Sequence, residues 1–311
     1  MNLSIKIKDL VLKNPVTVAS GTAGYGEELS HFIDLSKLGA IFTKGLTLQP
    51  RPGNRGNRII ETPAGVLNSI GLENVGLERF LSEKLPFLKQ AGATVIPNVA
   101  GHSVEENVEL CRTLSSLSEI GAVELNVSCP NVKEGGIIFG TDIGLFTNLV
   151  EKARTVTRCA LIVKLSPNVT DVGQFAARAE AIGADAVSAV NTFLGMKIDI
   201  RRKKPYFGNT VAGLSGPAIR PLAVRIVYQI YEAVSIPVIG LGGIASFDDM
   251  LEFIMAGATA ISVGTMNMVD PGISIMLIEK FGIYMESEKI GNMHEIIGIA
   301  HSPGGLSEEC P

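Results

Sequence analysis

The chain has 311 residues, 46% hydrophobic and 19% charged, a composition that suits one large globular domain or two small ones. Its formal net charge of −4 argues against a nucleic-acid or membrane-surface binder, because such proteins neutralise phosphate with basic patches. No apolar run approaches the roughly 20 residues of a membrane-spanning helix, and the start of the chain does not resemble a signal peptide. We therefore expect a cytoplasmic protein.

The cysteines and histidines predict no metal site. The four cysteines are widely spaced and form no C-x-x-C pair, and the four histidines show no H-E-x-x-H spacing. We therefore expect neither a disulfide framework nor a zinc site or iron–sulfur cluster in this chain.

Taken in order, the chain begins with a candidate hairpin and continues with eight apolar runs. Residues 3–14 alternate between apolar and polar side chains, which predicts a short β-hairpin. The eight candidate strands are Asn14–Ser20, Ala40–Lys44, Thr94–Val99, Val123–Val127, Ala160–Leu165, Ala186–Thr192, Pro237–Gly243 and Ala260–Thr265. Apolar strands separated by helical patterns are typical of a parallel sheet. Eight repeats predict a (β/α)₈ TIM barrel in a single domain over residues 1–311, with a doubly wound open sheet as the alternative.

Two stretches are longer than simple connections. Residues 48–72 and 194–215 are Gly-rich and polar, and we expect them to be insertions at the C-terminal face of the barrel, where long loops are usually functional. Each carries a basic run, Arg51–Arg58 in the first and Lys197–Lys204 in the second. Although such runs can bind phosphate, we interpret both as solvated insertions or subunit contacts.

Polar residues end six of the candidate strands, where a barrel enzyme places its active site. They are Ser20, Lys44, Asn98, Asn126, Lys164 and the pair Asn191 and Thr192. An asparagine in this position can also be a turn former or a cap. A lysine in an apolar strand needs an anionic or hydrogen-bonding partner, so Lys44 and Lys164 are ligand-binding or catalytic candidates. The alternative for each lysine is a pair with an internal carboxylate.

The last two strands end in glycine-containing pairs, Gly242-Gly243 and Gly264-Thr265. In barrels the loops after strands 7 and 8 commonly bind phosphate through backbone N–H groups. The spacing is not that of a G-x-G-x-x-G dinucleotide site. A phosphorylated cofactor is the favoured interpretation, and glycines needed only for tight turns are the alternative.

Cys129 is a candidate for the residue that carries the chemistry. It follows the strand that ends near Asn126 and precedes a Gly-rich loop suited to closing over a ligand. A thiol acts as a base only when it is ionised, which the site must promote because an ordinary cysteine has a pKa of about 8.5. The alternative is that Cys129 is a small buried hydrophobic residue.

From about residue 3 to residue 285 the chain resembles the class 1 dihydroorotate dehydrogenases, most closely the class 1B catalytic subunit. The motifs that carry the resemblance are Ala19-Ser20-Gly21, Thr43-Lys44-Gly45, Leu67-Asn68-Ser69-Ile70-Gly71-Leu72, Asn126-Val127-Ser128-Cys129-Pro130-Asn131, Lys164-Leu165-Ser166-Pro167-Asn168, Asn191-Thr192, Gly213-Leu214-Ser215-Gly216 and Gly240-Leu241-Gly242-Gly243-Ile244. The continuation Asn131-Val132-Lys133-Glu134-Gly135-Gly136 is more similar to class 1B than to class 1A.

The resemblance implies a barrel that holds one FMN per chain and oxidises dihydroorotate to orotate in pyrimidine biosynthesis, with Cys129 as the base. The implied FMN-binding residues are Ser20, Lys44, Gly45, Asn98, Asn126, Lys164, Val190, Gly216, Gly242, Gly243, Gly264 and Thr265. The implied substrate-binding residues are Lys44, Asn68, Ser69, Ile70, Gly71, Leu72, Asn126, Asn191 and Thr192.

The resemblance to class 1B also implies a partner. Electrons would pass to NAD through a second subunit carrying FAD and a [2Fe–2S] cluster, and the chain would form a homodimer within a heterotetramer. A class 1A enzyme that uses fumarate is one alternative. A second is a non-redox barrel enzyme, such as an aldolase in which Lys44 or Lys164 forms a Schiff base, and a third is a binding protein that has lost catalysis.

Overall fold

The chain starts with a hairpin that leads into the central sheet. The computed structural model describes residues 2–128, 130–131 and 137–302. Ile5–Ile7 pairs antiparallel with Leu10–Leu12, as the alternation of residues 3–14 predicts. Within these described ranges, no helix combines the length and the apolar character needed to cross a bilayer.

A parallel sheet closes on itself to form the barrel. Its strands in chain order are Val16–Val18, Ala40–Phe42, Val95–Ile96 with Asn98–Val99, Ala122–Asn126, Ala160–Lys164, Ala186–Ala189, Val238–Leu241 and Ala260–Val263. The two short segments of the third strand lie at opposite ends of the sheet order, and only Pro97 separates them. Proline has no N–H for the ladder, which explains the interruption. Because the third strand forms both edges of the sheet order, the sheet closes into a barrel. The predicted TIM barrel is confirmed, and the alternative of an open sheet is wrong.

Helices cover the outside of the barrel after each strand except the first. They are Gly76–Arg79 and Leu85–Gln90, joined by the π-helical turn Phe80–Lys84, and then Val104–Ser115, Ile143–Val156, Val172–Ala181, Arg220–Ala233, Phe247–Met255 and Ile273–Ser287. Four of them begin at a side chain that accepts a hydrogen bond from the third helical N–H, namely Ser103, Asp142, Asp171 and Ser246. The first strand is followed only by the 3₁₀ turns Leu29–His31 and Leu35–Lys37.

The two long insertions meet in one antiparallel sheet above the barrel. Its strands, in sheet order, are Phe193–Met196, Val211–Ser215, Gly65–Asn68 and Ile59–Thr62. A small hydrophobic cluster of Leu67, Phe207 and Ala212 packs within this region, apart from the main core. The sequence predicts insertions here but not their pairing. Two further short antiparallel pairs are Ile198–Asp199 with Lys204–Pro205 and Pro130–Asn131 with Ile137–Ile138.

Candidate active site

A cavity of about 870 Å³ lies between the barrel strand ends and the insertion sheet. Every predicted site residue other than Cys129 lines it. From the barrel and its loops these are Ser20, Lys44, Gly45, Asn98, Asn126, Lys164, Val190, Asn191, Thr192, Gly216, Gly242, Gly243, Gly264 and Thr265, and from the first insertion Asn68, Ser69, Ile70, Gly71 and Leu72. Cys129 lies outside the described residues, so its role as the base stays a prediction.

A buried charged network supports the barrel side of this cavity. Lys164 is 4% exposed, and its Nζ donates a hydrogen bond to Ser20 Oγ at 2.8 Å. The same ammonium lies 3.9 Å from Oε2 of Glu124, which is 2% exposed. That carboxylate also accepts hydrogen bonds from Ser188 Oγ at 2.6 Å and from Asn98 Nδ2. Lys164 therefore both reaches the cavity and pairs with an internal carboxylate, which stabilises each buried charge.

Three asparagines from different barrel strands are joined through their amides. Asn191 Nδ2 donates to Asn126 Oδ1 at 3.2 Å, and Asn126 Nδ2 donates to Asn98 Oδ1 at 3.4 Å. Asn191 Oδ1 accepts a further bond from the backbone N–H of Thr192 at 2.9 Å. Because each amide is oriented by its neighbour, the row can present donors and acceptors to a ligand at fixed places.

The glycines of the cavity fall into two groups that differ in the space around a Cβ placed on each. This difference shows where the cavity has room for a ligand. At Gly243 and Gly216, with φ of +86° and +98°, a Cβ would come within 2.8 Å of Arg220 N and 2.7 Å of Gly65 Cα, so the fold itself requires glycine. A Cβ at Gly264 would meet only Ala19 Cβ, at 3.7 Å, and one at Gly21 would meet nothing within 4 Å. At these two positions a side chain would instead extend into the cavity. Turn geometry accounts for Gly243 and Gly216, and the φ of +93° favours glycine at Gly21 as well, but the surroundings of Gly21 and Gly264 leave open space that a bound group can fill.

The first insertion contributes charges that the sequence analysis did not assign to the site. Arg51 and Arg58 line the cavity, a position that the interpretation of the run Arg51–Arg58 as a solvated insertion or subunit contact did not include. Arg58 Nη1 donates to Glu73 Oε2 at 3.0 Å, and the same oxygen lies 3.5 Å from Lys44 Nζ. Lys44, like Lys164, therefore lines the cavity and pairs with a carboxylate.

The backbone of residues 69–71 is held against the same run. Asn54 Nδ2 donates to Ser69 O at 3.0 Å, the N–H of Asn54 donates to Ile70 O at 2.9 Å, and the N–H of Ser69 donates to Arg58 O at 2.7 Å. A Cβ on Gly71 would lie 2.3 Å from Asn54 Oδ1, so glycine is needed for this close approach. The predicted substrate-binding segment is therefore fixed by hydrogen bonds from the insertion itself.

Two other cysteines are poor candidates for the base. Burial raises the pKa of the Cys111 thiol to about 12 and that of Cys159 to about 11, and neither residue lines the cavity. Both thiols are therefore protonated at neutral pH. Neither Cys111 nor Cys159 is therefore an alternative to Cys129 as the base.

Comparison with known proteins identifies the family. The dihydroorotate dehydrogenase family model matches residues 2–282. The catalytic subunit of dihydroorotate dehydrogenase B (NAD(+)) from Desulforamulus reducens is 49% identical over 97% of this chain and 99% of its own length. The corresponding subunit from Carboxydothermus hydrogenoformans is 50% identical over 97% and 98% of the two chains. A putative dihydroorotate dehydrogenase A (fumarate) from Aquifex aeolicus is also 50% identical, over 97% and 99%.

A solved structure supports the fold independently. The dihydroorotate dehydrogenase of Eimeria tenella in complex with ferulenol superposes with a TM-score of 0.77 over 97% of this chain and 89% of its own, at 19% identity. At that identity the similarity concerns the fold alone. The family match and the full-length relatives argue for an oxidoreductase and against the aldolase alternative. From these matches the chain belongs to the dihydroorotate dehydrogenase family.

Proposed function

We propose that this chain binds FMN in the cavity and oxidises dihydroorotate to orotate. The observation that carries the proposal is the convergence of all the described candidate residues on one cavity at the C-terminal face of the barrel. A buried lysine, a row of oriented amides and open space at Gly264 and Gly21 meet there. These features suit a large planar cofactor stacked with a small polar ring.

The cavity offers separate positions for the parts of the two ligands. The Lys44 ammonium suits the substrate carboxylate, and the amides of Asn68, Asn126 and Asn191 suit the amide groups of its ring. Lys164 would lie beside the cofactor ring, and Gly264 with its neighbouring glycines would hold the phosphate.

The reaction removes a proton and a hydride from adjacent ring carbons of dihydroorotate. FMN, when bound, supplies the hydride acceptor. Cys129, as a thiolate, would take the proton from the neighbouring carbon and become a neutral thiol. Lys164 contributes a positive charge to the cavity, and Glu124 holds that charge in place through the buried pair. The amide row keeps the substrate ring in one orientation while both bonds break.

For the electron acceptor we propose NAD, reached through a partner subunit that carries FAD and a [2Fe–2S] cluster. The names of the Desulforamulus and Carboxydothermus relatives as catalytic subunits support a partner. The Aquifex relative, named for fumarate at the same identity, is the reason to keep the fumarate alternative. The isolated chain should then fail to use NAD and gain that activity with the partner, whereas direct turnover with fumarate would favour the alternative. The homodimer within a heterotetramer and the cytoplasmic location stay predictions.

The first experiment is a visible spectrum of the purified chain under anaerobic conditions, before and after addition of dihydroorotate. We expect a flavin band that bleaches when the substrate is added. A protein that stays colourless after incubation with FMN would contradict the cofactor assignment. A flavin band that dihydroorotate does not bleach would instead contradict the substrate and favour the binding protein that has lost catalysis.

A further inference from the structure

The predicted anion-binding lysine already has a carboxylate beside it. Lys44 Nζ lies 3.5 Å from Glu73 Oε2, and both residues line the main cavity. Lys44 follows the second barrel strand, whereas Glu73 follows the segment 69–72 that we propose as part of the substrate site. The Glu73 carboxylate therefore lies beside Lys44, where a substrate carboxylate would contact the same ammonium.

Glu73 has a second cationic partner that is fixed independently of Lys44. Arg58 Nη1 donates to Glu73 Oε2 at 3.0 Å, a shorter contact than the one to Lys44. Arg58 Nε and Nη2 donate to the backbone carbonyls of Asn54 and Pro52 at 2.6 and 2.8 Å. Because the loop backbone holds the guanidinium, Glu73 can lose its contact with Lys44 and still keep a charged partner.

Glu73 also has room to move away from Lys44. A second cavity, of about 850 Å³, adjoins the main cavity at this pair, since Lys44, Arg51 and Glu73 line both. The Glu73 side chain is 47% exposed, so its carboxylate is not locked in the core. Moving the carboxylate therefore requires no rearrangement of the barrel.

We propose that Glu73 is an internal carboxylate that occupies the anion subsite at Lys44 and is displaced onto Arg58 when an anionic substrate binds. The inference rests on the proposed function, which places the dihydroorotate carboxylate at Lys44. In each state Lys44 has one carboxylate beside it, first that of Glu73 and then that of the substrate. A neutral ring has no group that replaces Glu73, so its binding leaves the pair intact.

Glu73 thus sets how tightly anionic rings bind relative to neutral ones. Every anionic ligand must break the Lys44–Glu73 contact, and a half-exposed ion pair of this kind has a modest strength that corresponds to about a fivefold change in affinity. Removing the charge of Glu73 should therefore tighten the binding of anionic rings by about that factor.

The test compares orotate and uracil binding to the FMN-loaded enzyme, followed by the change in the flavin absorption spectrum. We expect Glu73→Gln to lower the Kd for orotate about fivefold and to leave the Kd for uracil unchanged. The KM for dihydroorotate should fall by a similar factor. Glu83→Gln is the matched control, because Glu83 is a half-exposed glutamate that lines the second cavity and pairs with Arg79 at 2.8 Å. It should change none of these constants.

The possible outcomes distinguish a failure of the inference about Glu73 from a failure of the proposed function. Equal or weaker orotate binding by Glu73→Gln, in an enzyme whose wild type binds orotate, overturns the inference alone. An equal gain for orotate and uracil also overturns it, since a loosened loop rather than a displaced anion would act on both rings. A wild-type protein that binds neither FMN nor orotate overturns the proposed function and the inference with it.

Discussion

Among the described residues, Lys164 and Lys44 line the same cavity and each pairs with a glutamate, but the surroundings of the two pairs differ. Lys164 and Glu124 belong to neighbouring barrel strands and are almost completely buried, with an N–O separation of 3.9 Å. Lys44 and Glu73 are separated by 3.5 Å, but the glutamate lies directly after the first insertion and is 47% exposed. Although their separations are similar, burial makes the first pair a fixed part of the fold, whereas exposure leaves the second free to exchange partners.

The barrel and the insertion sheet differ in their packing as the two ion pairs differ in their burial. The barrel closes through eight strands and packs within one continuous hydrophobic core. The insertion sheet packs on the small cluster of Leu67, Phe207 and Ala212, and reaches the main core through the partly buried Phe193 and Leu214. We therefore expect changes in the barrel to affect stability and cofactor binding, and changes in the insertion sheet to affect mainly the substrate.

The largest expected effect on rate comes from a residue that belongs to neither pair. Cys129→Ser should lower turnover near neutral pH by about 10²–10⁴-fold, because a hydroxyl is a far weaker base than a thiolate and general-base catalysis contributes about that factor. FMN content and orotate affinity should stay as in the wild type. Stopped-flow reduction of the flavin by dihydroorotate measures the rate, with Cys159→Ser as the control. Unchanged reduction by Cys129→Ser would remove the base assignment.

The two pairs should differ most clearly when each glutamate is removed. Glu124→Ala should lower the free energy of unfolding by about 3–5 kcal/mol, because it leaves the Lys164 ammonium buried without its carboxylate. Glu73→Ala should lower it by less than about 1 kcal/mol, since the pair is exposed to solvent. Urea unfolding of both variants, with FMN content measured alongside, gives the comparison. Equal losses would mean that burial does not distinguish the pairs.

A matched pair of leucines tests the two packing regions. Leu161→Ala, in a barrel strand, should cost about 3 kcal/mol of global stability, since it leaves a cavity in the main core. Leu67→Ala, in the insertion sheet, should cost about 2 kcal/mol and raise the KM for dihydroorotate. Thermal unfolding and steady-state kinetics of the two variants are the measurements. If Leu161→Ala raised KM and Leu67→Ala did not, the expectation that the insertion sheet affects mainly the substrate would be wrong.

The barrel and most of the candidate site follow from the sequence because their signals are local. A polar residue at the end of an apolar run can be read directly, and parallel strands bring such ends together on one face. Ser20, Asn98 and Lys164 were predicted in this way, and the structure places all three at the cavity. The hairpin alternation is an equally local signal.

The insertion sheet could not be predicted because its pairing is not local. Gly65–Asn68 pairs with Val211–Ser215, and the side chain of Asn68 bonds to Gly213 across 145 positions of sequence. Both strands contain glycine, which weakens the usual strand pattern. Register between such distant segments is set by packing.

The sequence indicates that Glu124 needs a buried partner but does not identify that partner. A lone carboxylate inside an apolar strand needs a partner for the same reason as Lys164, so its burial was predictable in principle. The sequence does not reveal that the neighbouring strand pairs Asn126 with Lys164 and thereby brings Lys164 to Glu124. Glu73 lacked even that signal, because a glutamate in a polar loop is usually solvated.

The smallest expected effect is a pH dependence that belongs to the barrel side. Burial raises the pKa of Cys111 to about 12, well above that of an exposed thiol, so the folded protein keeps this proton when the unfolded chain has lost it. The resulting stability is complete below pH 9 and is lost as pH rises from about 9 towards 12, at up to about 1.4 kcal/mol per pH unit. Tyr25, whose pKa burial raises to about 12, adds a loss that begins near pH 10.

Cys111→Ala isolates the thiol contribution. Under reducing conditions, urea unfolding at pH 8, 9 and 10 should show a shallower loss of stability for the variant than for the wild type, although the variant begins about 1 kcal/mol lower because of the small cavity it creates. Glu73→Gln, in the insertion region, should leave the wild-type slope unchanged. Parallel curves for Cys111→Ala and the wild type would mean that the Cys111 thiol ionises as easily in the fold as in the unfolded chain. Alkaline sensitivity would then have to arise outside the part of the core that surrounds this thiol.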